Sequence, residues 1–235
     1  MAERKKVAVV AGAGPGHGAA LAKRFAQAGY AVAMLARSQD TLDALENEID
    51  GARGYACDIA SPDEVAKTFA AIRADLGEVD ALLYNAGPGV FGDVENTSPE
   101  ALEQSWRVNA YGLMLCSKQV VPGMRKAGGG AIVITGATAS RRGGPVTLAF
   151  AAAKAAQRSM AESMAKSLWR DGIHVCLIIV DGVFDIPKAR EAMPDKPDAF
   201  FINPDATAET AYQLAIQDRS SWSFEVEARP FGEHW

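Results

Sequence analysis

Four glycines at every second position, Gly12, Gly14, Gly16 and Gly18, follow the apolar run Val7 to Ala11 and precede a helical pattern of apolar residues. That order describes a buried strand turning into a helix N-terminus. The chemistry it offers is anion binding. Glycine lets backbone approach a pyrophosphate, and the unpaired N–H groups and positive dipole end of the helix favour the charge. Two dinucleotide fingerprints fit the same letters: Gly14 to Ala19 has the general G-x-G-x-x-G/A spacing, whereas Gly12-x-x-x-Gly16-x-Gly18 puts its first glycine at the strand end, which is the preferred fit. His17 lies inside this loop. The alternative is an ordinary glycine-rich turn, and the strand, turn and helix context weighs against it.

A loop of this kind needs a sheet beneath it. The chain has 235 residues, 49% of them hydrophobic, and no Pro-, Gly- or Ser-rich linker, so residues 1–235 read as one domain with a sizeable core. Short apolar runs recur at Ala31 to Leu35, Gly54 to Cys57, Val79 to Tyr84, Ala131 to Thr135, Ile173 to Val180 and Ser223 to Ala228, with helical patterns between them. Strands alternating with helices predict an α/β fold, a Rossmann-type doubly wound parallel sheet of about seven strands. The net charge of −5 and the lack of a basic run argue against a nucleic-acid partner, and no apolar stretch is long enough for a bilayer. A small-molecule substrate is expected. Cys57, Cys116 and Cys176 are odd in number and dispersed, which fits packing roles and no metal site. The charged start passes into a strand too quickly for a signal peptide, so the expected location is cytoplasmic.

The second strand ends in Ala36-Arg37-Ser38. In dinucleotide folds an acid here holds the adenosine ribose and would repel a 2′-phosphate. Ala36 is neutral and Arg37 is suited to a charge-assisted pair with a phosphate, so NADP is the expected cofactor, with NAD as the alternative.

With Asp58 closing the third strand and Asn85-Ala86-Gly87 the fourth, the chain resembles the short-chain dehydrogenase/reductases, single-domain oxidoreductases, over nearly all its length. The resemblance implies that Gly12, Gly16 and Gly18 serve the cofactor phosphates, that Asp58 contacts adenine, and that Asn85, Ala86 and Gly87 form the structural motif under the cofactor. It also implies that Asn109, in the helix from about Pro99 to Met124, bends that helix and holds a water linking the active-site lysine to solvent. That lysine is Lys154, which also binds the nicotinamide ribose, and backbone near Val183 meets the nicotinamide carboxamide.

The family's chemistry uses a serine and a tyrosine one helical turn before the lysine; here those positions hold Ala137 and Phe150. A phenol tuned by a lysine ammonium carries the substrate proton in the usual mechanism, and phenylalanine cannot. Thr138 and Ser140 are the local hydroxyls available as substitutes, with Thr147 better suited to opening the helix from about Val146 to Arg170. Asp181-Gly182 stands where the family has Pro-Gly, adding a carboxylate at the mouth of the site. Residues 184–204, rich in proline, read as a mobile substrate lid, and Met193, Phe200 and Phe201 suit either an apolar ligand or packing within the lid. The expected function is an NADP-dependent oxidoreductase of atypical catalysis acting on an apolar carbonyl, alcohol or activated C=C bond. The alternative is a nucleotide-binding protein of the same fold without redox turnover. The small and apolar residues of the helices around 99–124 and 146–170 predict a homodimer or homotetramer.

Overall fold

The computed structural model describes residues 4–232. The chain alternates β1 (Val7–Ala11), α1 (His17–Gln27), β2 (Ala31–Ala36), α2 (Gln39–Glu48), β3 (Ala52–Ala56), α3 (Pro62–Asp75) and β4 (Ala81–Tyr84). It continues through α4 (Pro99–Trp106), α5 (Gly112–Ala127), β5 (Gly130–Thr135), α6 (Leu148–Leu168), β6 (Ile173–Val180), β7 (Val183–Phe184), α7 (Pro187–Ala192), β8 (Phe201–Ile202), α8 (Pro204–Ala215) and β9 (Glu225–Ala228). Seven strands form one parallel sheet in the order β3-β2-β1-β4-β5-β6-β9, as the alternation of strands and helices requires.

Both faces of this sheet are covered, which explains why its central strands are apolar at every position. In β1, Val7, Val9 and Ala11 enter the core beneath α3, α5 and α6, while Ala8 and Val10 enter the core beneath α1, α2 and α8. Phe25 anchors the second core: its ring is fully buried and meets Tyr30 and Tyr212 edge-on, with centroids 5.2 and 5.5 Å away.

Helix starts follow the local chemistry. Ser38, Ser61 and Ser98 each cap a helix by accepting from the N–H three residues on, and proline occupies the first turn after Ser61 and Ser98. Thr147 differs. It precedes α6 without capping it, and its hydroxyl instead accepts from the Gly144 N–H at 2.7 Å, closing the preceding turn.

The long helix predicted from Pro99 is interrupted by a π turn at Arg107–Tyr111, where the Gly112 N–H reaches the Arg107 carbonyl. The segment after β6 is ordered by its own contacts: β7 and β8 pair in parallel, Val183 opposite Phe201, and Arg190 bonds Asp185 through two nitrogens while also reaching Asp198. Phe201 is buried under the Arg190 guanidinium and meets Phe200 edge-on, so these two aromatics pack within the segment, while Phe184 packs outward onto His17 of α1. No helix among the described residues is long and apolar enough to cross a membrane.

Phe25→Ala should cost about 3–5 kcal/mol of stability, the usual range for emptying a fully packed aromatic site. Urea unfolding monitored by circular dichroism would measure it.

Candidate active site

The order β3-β2-β1-β4 reverses direction between β1 and β4, and at such a switch point the loops leaving the strand ends diverge and open a crevice. A cleft of about 700 Å³ lies there. Gly12, Ala13 and Gly14 form one wall, Arg37, Ser38 and Thr41 one end, Asp58 the floor near β3, and Asn85, Ala86 and Gly87 the opposite wall.

The glycines have separate reasons. Gly12 has a φ of 94°, and a Cβ there would lie 2.6 Å from the Ala86 backbone, so this position must lack a side chain to let the two walls meet. At Gly18 a Cβ would come within 2.5 Å of the Gly12 carbonyl, which keeps α1 close against the turn. At Gly14 a Cβ would meet nothing, and this open side faces the cleft. Gly16 ends the loop as the residue before α1, with its φ at 101°.

The walls are tied by the Asn85 side chain, which donates to the Gly12 carbonyl at 2.9 Å, and by the Asn85 and Ala86 N–H groups, both 2.9 Å from the Ala11 carbonyl. Asp58 accepts from the Ala60 N–H at 2.9 Å and so is fixed at the cleft edge. Arg37 is exposed and has no ion pair among the described residues. His17 points elsewhere: its ring is buried against Phe184, stacked at 4.6 Å, and burial lowers its pKa to about 4 despite the opposing Pro204 backbone contact. Val183 is held in the β7–β8 pair.

Lys154 is buried beside Gly87 of the cleft wall and Phe150 of a second cavity. Its Nζ donates to the Thr135 carbonyl at 2.8 Å and to Gln157 Oε1 at 3.1 Å, and a Cβ on Gly87 would be 3.2 Å away. The Phe150 ring centroid lies 5.9 Å from the same nitrogen. Desolvation brings the Lys154 pKa down to about 7. Asn109 lies within the π turn, donating through Nδ2 to the Ser105 carbonyl at 2.9 Å, and its Oδ1 is buried with no donor. A Cβ on Gly87 would overlap that oxygen, so the open acceptor faces the cleft wall. Buried acceptors in native proteins are nearly always satisfied, which makes this the place for a ligand hydroxyl or a water.

The second cavity, about 270 Å³, is lined by Phe91, Ala137, Thr138, Phe150, Val180 and Gly182 among others. Thr138, Thr147 and Arg142 are its polar side chains; the Thr138 hydroxyl donates to Asp181 Oδ1, and the other Asp181 oxygen pairs with Arg229 at 3.0 Å. Ser140, the other hydroxyl expected to carry chemistry, is buried away from this cavity and accepts from the Ala137 N–H at 3.1 Å. Its role is to close a turn. Gln157 went unrecognised in the sequence, although a lone glutamine on the buried face of an alanine-rich helix is the signal that marks it. No His, Cys, Asp and Glu cluster suited to a metal occurs among the described residues.

A doubly wound parallel sheet with a glycine loop at its switch point defines a dinucleotide-binding α/β protein. The short chain dehydrogenase family model matches residues 6–197, and the chain belongs to that family of oxidoreductases. A curated relative, an oxidoreductase designated asL5 from Sarocladium schorii, is 30% identical over 72% of this chain and 69% of its own length. Two further curated relatives, from Pseudocercospora fijiensis and Mycobacterium bovis, are longer, the match spanning 56% and 53% of them. Among solved structures, a short-chain dehydrogenase from Rhodopseudomonas palustris is 32% identical with a TM-score of 0.83, covering 97% of this chain and 100% of that one. A metagenomic short-chain oxidoreductase in complex with NADP is 28% identical with a TM-score of 0.84, covering 98% and 99%.

Gly18→Ala should destabilise the protein by about 1–3 kcal/mol through overpacking against Gly12. Gly14→Ala should stay within about 0.5 kcal/mol, as substitutions with open space do. Thermal melts of the two variants compare them directly.

Proposed function

We propose that this protein is an NADP-dependent oxidoreductase acting on an apolar carbonyl, alcohol or activated C=C substrate, with a proton route that departs from the family's. The observation that carries it is the placement of Lys154, whose amine lies beside Gly87 of the nucleotide cleft and Phe150 of the small apolar cavity. A nicotinamide dinucleotide, when bound, supplies or accepts the hydride. The glycine loop and the start of α1 would hold its pyrophosphate, Asp58 its adenine, Lys154 its nicotinamide-side ribose hydroxyls, and the backbone at Val183 its carboxamide, with Asn109 holding a water that links Lys154 to solvent. Arg37, with the Ser38-capped start of α2 beside it, is suited to a 2′-phosphate.

Ala137 and Phe150 bring no hydroxyl to the cavity that they line. Thr138 then becomes the group closest in kind to a proton carrier. Its own proton is committed to Asp181, so it meets a substrate as a hydrogen-bond acceptor, an arrangement suited to an alcohol. The same two positions favour a second reading, a nucleotide-binding protein without redox turnover. Exposed Leu102 and Trp106 on α4 supply apolar surface in support of a homo-oligomer.

NADPH should bind more tightly than NADH, and Arg37→Ala should weaken NADPH about 10- to 100-fold while leaving NADH unchanged, the range for one charge-assisted contact. Fluorescence titration measures both, and equal affinities would remove Arg37 from the site. Ketone reduction by the native protein should be slow, and Ala137→Ser combined with Phe150→Tyr should raise it about 10²- to 10⁴-fold, the usual worth of general acid catalysis. Steady-state NADPH oxidation against a ketone panel tests this. Cofactor binding with no turnover before or after the double change would favour the second reading.

A further inference from the structure

The π turn and α6 meet at two buried side chains, Lys154 and Gln157, and a backbone carbonyl, Asn109, in a chain of hydrogen bonds that nucleotide binding alone does not explain. Gln157 is fully buried and lies one turn beyond Lys154 on α6. Its Oε1 accepts from Lys154 Nζ at 3.1 Å, and its Nε2 donates to the Asn109 backbone carbonyl at 2.9 Å. The two partners fix the amide's orientation, because an ammonium only donates and a carbonyl only accepts. A π turn moves the helix's bonding from the fourth to the fifth residue on, and here Gln157 reaches into that turn to the Asn109 carbonyl.

An ammonium has three protons. One goes to the Thr135 carbonyl and one to Gln157, and Gly87 of the cleft wall lies close by, a Cβ there coming 3.2 Å from Nζ. We propose that Gln157 is a positioning residue: by bridging Lys154 to the π turn it aims the remaining N–H of Lys154 into the nucleotide cleft and fills with an amide the space where a water would otherwise join Lys154 to the Asn109 carbonyl. The inference rests on the nucleotide reading of the cleft for its binding test, and on the buried geometry alone for its titration test.

The groups facing Lys154 Nζ are the Thr135 carbonyl from β5, Gly87 after β4, Asn109 from the π turn, and Phe150 and Gln157 from α6 itself; none is titratable or charged. Gln157 therefore has an unusually direct hold on the charge state of this lysine, whose midpoint near 7 comes from burial. Loss of an acceptor disfavours the ammonium, and a carboxylate in its place favours it.

The test uses three variants, with the Lys154 midpoint read by ¹³Cε-lysine NMR on the cofactor-free protein and NADPH affinity read by fluorescence from pH 6 to 9. Gln157→Leu fills the space with hydrocarbon and should lower the midpoint by about one unit, weakening NADPH about tenfold at pH 8 and only about twofold at pH 6. Gln157→Ala leaves room for a bridging water and should shift the midpoint less than the leucine variant does. Gln157→Glu is nearly isosteric and should raise the midpoint by about one unit, tightening NADPH about fivefold at pH 8. If the leucine variant does not fold, the opposed expectations for alanine and glutamate still decide. A midpoint that stays put in every folded variant, or one that moves the same way in the glutamate and alanine variants, overturns the proposal. Failure of the native protein to bind NADPH would instead overturn the nucleotide reading, and the NMR midpoints would still judge Gln157.

Discussion

The contact between the glycine loop and the turn after β4 is the constraint on which the rest of the site depends. Gly12 and Ala86 approach so closely that a Cβ at residue 12 has no room, and Asn85 donates across the gap to the Gly12 carbonyl. Because β1 and β4 are neighbours in the sheet while their helices pack on opposite faces, these two loops have to separate above the contact. The cleft is that separation. Gly12 to Gly14 line it on one side and the Asn85-Ala86-Gly87 turn on the other.

A second consequence follows at Gly87, where the same turn presses against Asn109 and Lys154. Burying an ammonium without a counter-ion is costly, and here three neutral oxygen acceptors are arranged near it: Thr135 and Gln157 in contact, and Asn109 Oδ1 left open toward the cleft wall. The lysine is consequently poised between charged and neutral forms near neutral pH, with burial as the cause. A group in that condition responds strongly to small changes in its neighbours, which is why the amide of Gln157 matters more than its distance from the cleft suggests.

The sheet was legible in the sequence because parallel strands buried on both faces leave uninterrupted apolar runs, and strand boundaries shifted by only a few residues, as at β3, which starts at Ala52. Gly12, Arg37, Asp58 and the Asn85 turn come together around one cleft, and spacing could locate them because each stands at or just past the end of a strand. Side-chain direction is another matter. His17 shares the loop's spacing, yet its ring stacks on Phe184, and Ser140 is spent on the Ala137 N–H. The pairing of β7 with β8 depends on contacts across a proline-rich segment that has no periodicity to read. Gln157 and Asp181 acquire meaning only from partners distant in the chain, Asn109 and Thr138.

Asp181 illustrates how an edge strand can bear on a cavity it does not line. In β9, Val226 and Ala228 pack into the core, while the alternate residues Glu225 and Glu227 carry charge. Glu225 pairs with Arg141 and Arg158, Glu227 with Arg141 and Arg229, and Arg229 with Asp181, which holds the Thr138 hydroxyl. Arg141 is 41% exposed, so its pairs are screened and contribute about 0–1 kcal/mol each. At the other end Arg229 and Asp181 are 17% and 14% exposed, and there the attraction is stronger but so is the desolvation that it must offset. The net effect on stability is therefore small along the whole chain, and its effect is geometric: the carboxylate of Asp181 is held from one side by a guanidinium, leaving its other oxygen directed at Thr138. The alternation of β9 thus fixes, through Arg229 and Asp181, the hydroxyl of Thr138 that lines the small cavity beside Ala137 and Phe150.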